Sequence, residues 1–325
     1  MREAIISFPM FGENFAINPP YCISIGTFCI YFYGIIIAAG LLLALVYGTK
    51  VGKRLDIESD TLYDLVIWGV IAAIIGARAY YCIFNWSAYA DNPAKIFAIR
   101  DGGLAIYGGI IAAIIAVWIR CRMKKISIYP ALDVMSLGLL IGQFMGRWGN
   151  FFNREAYGYE TDIFCRMGLT TSAGTMYVHP TFLYESLWNF VGFLILHFHS
   201  RKKRQYAGQY FILYVIWYGI GRAFIEGLRT DSLWLIPDVI RVSQLLAAVS
   251  ALLALAVYII NACRLKKGLR PLIGKLDADL VDVSAGDEPA AAEKSEPALD
   301  ESDIMNTEES TEENISEDLT ENENT

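Results

Sequence analysis

Residues 242–262 read VSQLLAAVSALLALAVYIINA, a run that contains no charged side chain. A helix needs about 20 mostly apolar residues to cross roughly 30 Å of hydrocarbon, so this run predicts a membrane-spanning helix. Comparable apolar runs recur along the chain. Together they predict an all-α polytopic integral membrane protein with about seven transmembrane helices, near residues 24–48, 65–84, 103–119, 131–146, 181–199, 206–226 and 242–262.

The composition separates an apolar body from an acidic tail. The chain is 55% hydrophobic and 19% charged, whereas soluble domains are about 25% charged; collagen-like, coiled-coil and disulfide-scaffold proteins are also excluded. Residues 277–325 have a net charge of −17, which leaves +10 on residues 1–276 although the whole chain carries −7. Because residues 277–325 contain few large apolar side chains, we expect them to be a disordered tail.

The positions of Lys and Arg predict the orientation, because loops kept in the cytoplasm hold the excess of positive charge. Basic groups follow the first, third, fifth and seventh spans, which places the N-terminus outside and the C-terminus in the cytoplasm. Residues 1–265 then form a transmembrane domain with extracytoplasmic loops, and 266–276 a basic juxtamembrane segment. The groups are Lys50, Lys53 and Arg54; Arg120, Arg122, Lys124 and Lys125; Arg201, Lys202, Lys203 and Arg204; and Arg264, Lys266, Lys267, Arg270 and Lys275.

The six cysteines show no CxxC or Cys/His spacing of a metal site. Most lie in or beside apolar runs, so we expect buried free thiols. We expect no metal, no other cofactor and no nucleic-acid partner.

The densest polar segment is Gly146-Arg-Trp-Gly-Asn-Phe-Phe-Asn-Arg-Glu-Ala-Tyr-Gly158, which we place just outside the fourth span. An arginine and two asparagines at a membrane surface can hold a phosphate through charge-assisted hydrogen bonds. An equally good interpretation from composition alone is an interfacial turn whose polar groups satisfy one another.

A second set lies in the sixth span, where Tyr218, Arg222, Glu226 and Arg229 follow at intervals that put them on one helix face. The Arg222–Glu226 pair could be a structural salt bridge. Since one carboxylate cannot neutralise two guanidinium groups, we infer that an anion from elsewhere is needed.

A third set opens the fifth span, where His179 precedes Tyr184 and Glu185. A histidine at a helix start is more often a surface or capping group than a catalytic one. Under the predicted topology all these sets lie in the outer half of the protein. They therefore predict one electropositive, tyrosine-rich site open to the outer leaflet, suited to an anionic phospholipid.

At these residues the chain resembles the bacterial prolipoprotein diacylglyceryl transferases. The segment 146–158 matches that family's signature, GRxGNFxNxExxG, at every fixed position. The other matching pieces follow in the family's order: Tyr33-Gly34, Asp101-Gly102-Gly103, His179-Pro180 to Tyr184-Glu185, and Arg222 to Glu226.

The resemblance implies a multi-pass enzyme of the bacterial plasma membrane with its active site toward the extracytoplasmic face. Its partners would be phosphatidylglycerol, the lipobox peptides of prolipoproteins and the bilayer. The enzyme would move a diacylglyceryl group onto the lipobox cysteine, releasing glycerol phosphate. From the resemblance and the residue patterns together, we predict the catalytic residues Arg147, Arg222, Tyr33, Tyr107 and Glu226, and the substrate-binding residues Arg147, Asn150, Asn153, Glu155, Gly158, His179, Tyr184, Glu185, Tyr218 and Arg229.

One departure concerns the base. Some members have histidine where this chain has Tyr107, and a phenol titrates near 10. His179, Glu226 and activation of the thiol without a dedicated base remain open. Two rival classes also stay open: a transporter for an anionic solute, which would need intramembrane Arg and Glu, and a non-catalytic lipid-binding protein.

Overall fold

The computed structural model describes residues 3–12, 15–26, 28–99, 102–202, 204–236, 239–276 and 280. Seven long helices lie within these residues, which confirms the predicted fold class. Six of these seven helices are long and apolar enough to cross a membrane, and the exception is α5. The helices are α1 (Phe32–Gly52), α2 (Ser59–Phe84), α3 (Ile106–Met123), α4 (Ile128–Asn153), α5 (Thr181–Ser200), α6 (Gln209–Ile225) and α7 (Val242–Lys266).

Helix α4 is the centre of the bundle, with α1, α5 and α6 packed against it. Its side chains Val134, Leu137 and Leu140 are almost fully buried. Helix α2 pairs with α3, and α6 pairs with α7. Successive helices run up and down, so the segments between them lie at two ends: β1, before α1, pairs with β5, after α4, and Ala207, before α6, pairs with Lys275, after α7.

The loop-rich end, at which α1 begins, comprises the described residues within 3–31, 85–105, 154–180 and 226–241. It contains short strands that the sequence analysis did not predict. Strands β1 (Ile5–Ser7), β2 (Ala16–Ile17), β5 (Met167–Thr171) and β6 (Gly174–Val178) form an antiparallel sheet in the order β2-β1-β5-β6. Two hairpins accompany it: β3 (Cys22–Ile25) with β4 (Phe28–Tyr31), and β7 (Trp234–Ile236) with β8 (Ile240–Arg241).

Arg154 attaches this sheet to the bundle. It follows α4 in the left-handed region with φ of 49°, and its guanidinium donates to the backbone oxygens of Ala4 at 2.9 Å and Pro19 at 2.6 Å. It also donates to Oδ1 of Asn18 at 2.8 Å. The second arginine of the 146–158 segment is therefore occupied by the N-terminal segment.

The basic end comprises residues 53–58, 124–127, 201–202, 204–208 and 267–276. The carboxylate of Asp133, fully buried in α4, accepts the backbone N–H groups of Gly208, Tyr210 and Phe211 at 2.8–3.0 Å. It thereby satisfies the first N–H groups of α6, which have no partner within the helix. Arg204 pairs with Asp133 and with Asp56.

The two largest differences from the predicted span boundaries are at the start of the first span and the end of the fourth. The first span begins at Phe32, because residues 22–31 form the β3–β4 hairpin instead of helix. The fourth runs to Asn153, so the Gly146–Asn153 part of the polar segment is the last two turns of α4 and not a turn beyond it. Of the polar and basic positions used above, Asp101, Lys203 and nearly all of the acidic tail lie outside the described residues.

The expectation of buried free thiols is wrong for three of the six cysteines. Cys22 and Cys29 form a disulfide, with their Cα atoms 5.8 Å apart. They lie on the same face of the β3–β4 hairpin, where Ser24 pairs with Cys29, so the turn brings together two cysteines whose sequence spacing matches no metal or redox motif. Cys263 is free but exposed, and Cys165 is partly exposed.

Candidate active site

Glu185 is the centre of a buried ionic cluster at the loop-rich end. It lies in the second turn of α5 and is 4% exposed. Its carboxylate pairs with Arg147 of α4, with Nη1 of Arg222 of α6 at 3.1 Å, and with Nη1 of Arg229 at 3.1 Å. One carboxylate therefore gathers three guanidinium groups from two distant parts of the chain, α4 and the end of α6.

Two further carboxylates complete this cluster. Nη2 of Arg222 lies 2.7 Å from Oε2 of Glu226, four residues later. Arg229 makes a bidentate pair with Asp231, with distances of 3.0 Å from Nε to Oδ1 and 2.8 Å from Nη2 to Oδ2. Burial alone would lower the pKa of Arg229, but Asp231, Glu185 and Glu226 outweigh it and raise that pKa.

Arg222 and Arg229 have more carboxylate partners than the sequence of the sixth span indicated. Glu226 was expected to be their single carboxylate, whereas Glu185 and Asp231 also pair with these arginines. An external anion is therefore not needed to neutralise them. It has to share guanidinium N–H groups with carboxylates, which is feasible because a guanidinium carries five donors.

The end of α4 adds amide groups to the cluster. Arg147 donates from Nη1 to Oδ1 of Asn150 at 3.1 Å. Asn150 and Asn153 both donate to Oε1 of Glu155, at 2.9 and 3.2 Å. These side-chain hydrogen bonds run without a break from Arg147 through Asn150 to Glu155, and they orient the Arg147 guanidinium.

Two glycines of the segment allow close approaches. A Cβ at Gly149 would lie 2.6 Å from the ring of Tyr33, so the glycine lets that ring from the first turn of α1 pack against α4 beside Asn150. A Cβ at Gly158 would lie 2.7 Å from the backbone oxygen of Leu228, where Gly158 and Arg229 form a β-bridge. Any side chain at either position would push these elements apart.

Tyr218 lies close enough to Arg147 to act on it electrostatically, and its ring stacks on Tyr214, with the ring centroids 5.8 Å apart.

His179 and Tyr184 form a separate group, with 3.3 Å between Nδ1 of His179 and Oη of Tyr184. Oη of Tyr184 is also 3.5 Å from Sγ of Cys165. Burial lowers the pKa of His179, which keeps its imidazole neutral near pH 7.

The structure thus brings most of the predicted site residues together, but not all of them. Tyr107 lies in the first turn of α3, and within the described residues no hydrogen bond or ring contact joins it to the cluster. His179 reaches the cluster through the backbone, since its carbonyl accepts from the N–H of Gly158 at 3.0 Å.

Three residues of the cluster were missed from the sequence. Asp231 had a weak signal, as a carboxylate two residues beyond a site arginine. Arg241 donates to the backbone oxygen of Glu226 and to Oη of Tyr159, and Ser243 donates to Oε1 of Glu226. Neither of these last two carried a signal, since Arg241 directly precedes the seventh span, Ser243 is the second residue of α7, and both meet Glu226 only in the fold.

This arrangement can hold an anionic group that is attached to an apolar body. The side chains of Arg147 and Arg222 are 20% and 17% exposed, and the carboxylates fix the orientation of their guanidinium groups. Guanidinium groups fixed in this way stabilise negative charge that grows on a phosphate ester. No cluster of three or more potential metal ligands occurs among the described residues.

These features define a class of protein: a multi-pass helical membrane protein with an arginine–carboxylate site at one end of its bundle. Residues 20–260 match the family model described as prolipoprotein diacylglyceryl transferase. The chain therefore belongs to the prolipoprotein diacylglyceryl transferase family and is a transferase, as its signature segment predicted.

Relatives in two Bacillus species carry a more specific name. The chain is 46% identical over 233 residues to the phosphatidylglycerol–prolipoprotein diacylglyceryl transferase of Bacillus cereus (strain G9842), an alignment that covers 69% of this chain and 85% of that protein. It is 45% identical, with the same coverage, to the protein of that name from Bacillus anthracis (strain A0248).

Proposed function

We propose that this chain transfers the diacylglyceryl group of phosphatidylglycerol to the cysteine thiol of the lipobox in prolipoproteins. The product is a thioether, and glycerol phosphate is released. The convergence of Arg147, Arg222 and Arg229 on Glu185 carries the proposal. Family membership and the names of the Bacillus relatives support the donor and the acceptor.

Arg147 and Arg222 bind the phosphate diester in this proposal. Their guanidinium groups are brought to one place by Glu185, and both remain partly exposed. Arg147 is oriented further by Asn150, and Arg222 by Glu226. Fixed positions matter because donors that need no rearrangement stabilise a developing charge most effectively.

The reaction is a displacement at the glyceryl carbon that bears the phosphate ester. The cysteine thiolate forms a C–S bond, the C–O bond breaks, and its electron pair leaves on the phosphate oxygen. Negative charge on the phosphate grows as the bond breaks, so the arginines bind the transition state more strongly than the ground state.

The thiol has to lose its proton, and a cysteine titrates near 8.5. Nearby positive charge lowers that value, so we assign thiolate formation to the field of the arginines. Glu226 already contacts Arg222 and Ser243, and His179 contacts Tyr184 instead of the ionic cluster. Tyr33, beside Gly149, is positioned to hold the head group or the incoming peptide.

The loop-rich end faces the extracytoplasmic side of the bacterial plasma membrane in this proposal. The excess of Lys and Arg at the opposite end supports that orientation. A lipobox peptide exported across the membrane would then reach the site from the side to which secreted proteins are delivered.

The test uses the purified full chain in detergent, with phosphatidylglycerol labelled in its acyl chains and a synthetic lipobox peptide. We expect label on the peptide, and none on a peptide whose cysteine is replaced by serine. Absence of transfer, together with uptake of an anionic solute into proteoliposomes, would overturn the proposal in favour of a transporter.

The variant Arg147→Lys tests the role of the guanidinium. Lysine keeps the charge but cannot make the bidentate contact, so we expect much of the donor-lipid binding to remain while most turnover is lost. Near-normal turnover by Arg147→Ala would remove Arg147 from the mechanism.

A further inference from the structure

A cavity lies away from the ionic cluster, in a groove between α1 and α5 with α4 as its floor. Its volume is about 310 Å³, which is within the range of small-molecule sites. Apart from Lys50 and the hydroxyl of Tyr47, its lining is apolar. The lining residues are Leu43, Val46, Tyr47, Lys50, Ile141, Phe144, Phe190 and Phe193.

The groove is bounded near the basic end by a contact between its two walls. Oη of Tyr47 on α1 is 2.7 Å from Nδ1 of His197 on α5. The ring of Tyr47 also packs against Phe193, with centroids 5.0 Å apart. Elsewhere α1 and α5 lie apart on α4, and Leu43 and Val46 are 51% and 55% exposed.

Cationic side chains surround this boundary. Lys50 lines the groove, and Arg54 and Arg201 lie close enough to act electrostatically on both Tyr47 and His197. Among the described residues, no carboxylate forms a salt bridge with any of these three. At the same end of the bundle, by contrast, Arg120 and Lys124 both pair with Asp64.

We propose that this groove binds an anionic glycerophospholipid from the leaflet at the basic end. Its phosphate lies among Lys50, Arg54 and Arg201, and one acyl chain lies along Val46, Phe193 and Phe144. Cationic side chains at a membrane surface attract anionic lipids. A lysine near a helix end can extend its amine to the head-group level while its stem covers apolar surface.

This lipid is distinct from the donor. Lys50 follows Tyr33 by 17 residues of α1, which is about 25 Å along a helix, and Tyr33 marks the level of the ionic cluster. A head group at Lys50 therefore lies near the opposite membrane surface from the reacting phosphate. The proposal does not depend on the chemistry assigned to the arginines.

The test counts lipids retained by the purified full chain in a native mass spectrum. The probe is phosphatidic acid, which has no glycerol head group to release as glycerol phosphate, and phosphatidylcholine is the neutral comparison. We expect one phosphatidic acid to be retained in preference to phosphatidylcholine. Removing charge in Lys50→Gln and Arg54→Gln should weaken its affinity roughly five-fold for each charge.

Val46→Trp, which fills the groove from an exposed position, should also lower retention. The matched control is Arg122→Gln, which removes a charge from the same end but from a side chain that lies over Trp118 of α3. A loss of retention in Arg122→Gln equal to that in Lys50→Gln would overturn the proposal. So would unchanged retention in the Lys50, Arg54 and Val46 variants, or dependence of the retained lipid on Arg147 instead. Diacylglyceryl transfer assayed on the same preparations reports separately on the proposed enzyme activity.

Discussion

Glu185 has two roles, one in stability and one in arranging the arginines. It is 4% exposed, and it is the carboxylate on which Arg147, Arg222 and Arg229 converge. Without its charge, these guanidinium groups would repel one another in a largely buried place. The side chain therefore stabilises the fold at this end of the bundle as well as arranging the arginines for an anion.

We expect Glu185→Gln to lower the stability of the chain by about 3 kcal/mol, the usual cost of leaving a buried charge without its partner. Transfer activity should fall as well, because Arg147 and Arg222 lose their common anchor. Thermal unfolding in detergent measures the first effect, and transfer to the peptide measures the second.

Asp231→Asn is the matched control for this substitution. Asp231 pairs with the same Arg229, but its side chain is 50% exposed, and exposed ion pairs contribute at most about 1 kcal/mol. Equal destabilisation by the two variants would mean that Glu185 has no special role in the cluster.

His179 predicts a pH dependence of stability. Burial lowers its pKa in the folded chain below the ordinary 6.5. As the pH falls below 6.5 the unfolded chain binds the proton first, so stability decreases until the pH passes the lower pKa of the folded state. We expect His179→Gln to show a shallower loss between pH 6.5 and 5 in thermal unfolding scans. Curves of identical slope for the two proteins would contradict a partly buried, neutral His179.

At the scale of elements, the β3–β4 hairpin connects the N-terminal segment to α1. It presents Ile23, Ile25 and Ile30 to the surroundings on one face, and they are 44%, 61% and 46% exposed. The opposite face carries the disulfide of Cys22 and Cys29. The hairpin ends at Tyr31, next to the helix that carries Tyr33, so its position affects where that phenol lies.

The disulfide predicts a count of reactive thiols. In denaturant without reductant, iodoacetamide should modify four cysteines, because Cys82, Cys121, Cys165 and Cys263 are free. After reduction it should modify all six. Intact-mass measurement of the alkylated chain distinguishes the two numbers. Six modifications without reductant would mean that Cys22 and Cys29 are not joined.

The helices could be predicted because each is decided by a long apolar run, a property of neighbouring residues. The hairpin could not, because the Cys22–Tyr31 segment is apolar and β-branched, and a short apolar run is ambiguous between strand and helix. Its pairing was therefore absorbed into the first predicted span. The β1–β5 pairing joins segments more than 150 residues apart, a separation that no local pattern reveals.

The site residues also divide into contacts that local spacing predicts and contacts that depend on the packing of distant segments. Arg222 and Glu226, four residues apart, could be predicted to meet from helical spacing, and they do. The convergence of Arg147 with Arg229 on Glu185 depends on how α4, α5 and the end of α6 pack. Asp231 and Arg241 lie between the sixth and seventh predicted spans, and Ser243 lies at the start of the seventh, where an apolar run gives no sign of a contact with Glu226.

At the scale of the whole molecule, the two ends of the bundle differ in chemistry. The loop-rich end carries the sheet, the hairpins and the arginine–carboxylate cluster, whereas the basic end carries most of the Lys and Arg groups that follow α1, α3, α5 and α7. If the basic end lies in the cytoplasm, an exported peptide and the outer-leaflet lipid meet at the cluster.

Single cysteines read by a membrane-impermeant maleimide test that orientation. Ala173 lies in the exposed turn between β5 and β6, and Lys267 follows α7 at the basic end. In a background with Cys165→Ser and Cys263→Ser, we expect Ala173→Cys to react in intact cells and Lys267→Cys to react only after permeabilisation. The positive-inside rule requires this order of labelling. Labelling of Lys267→Cys in intact cells would put the cluster on the cytoplasmic side, where a secreted prolipoprotein could not reach it after export.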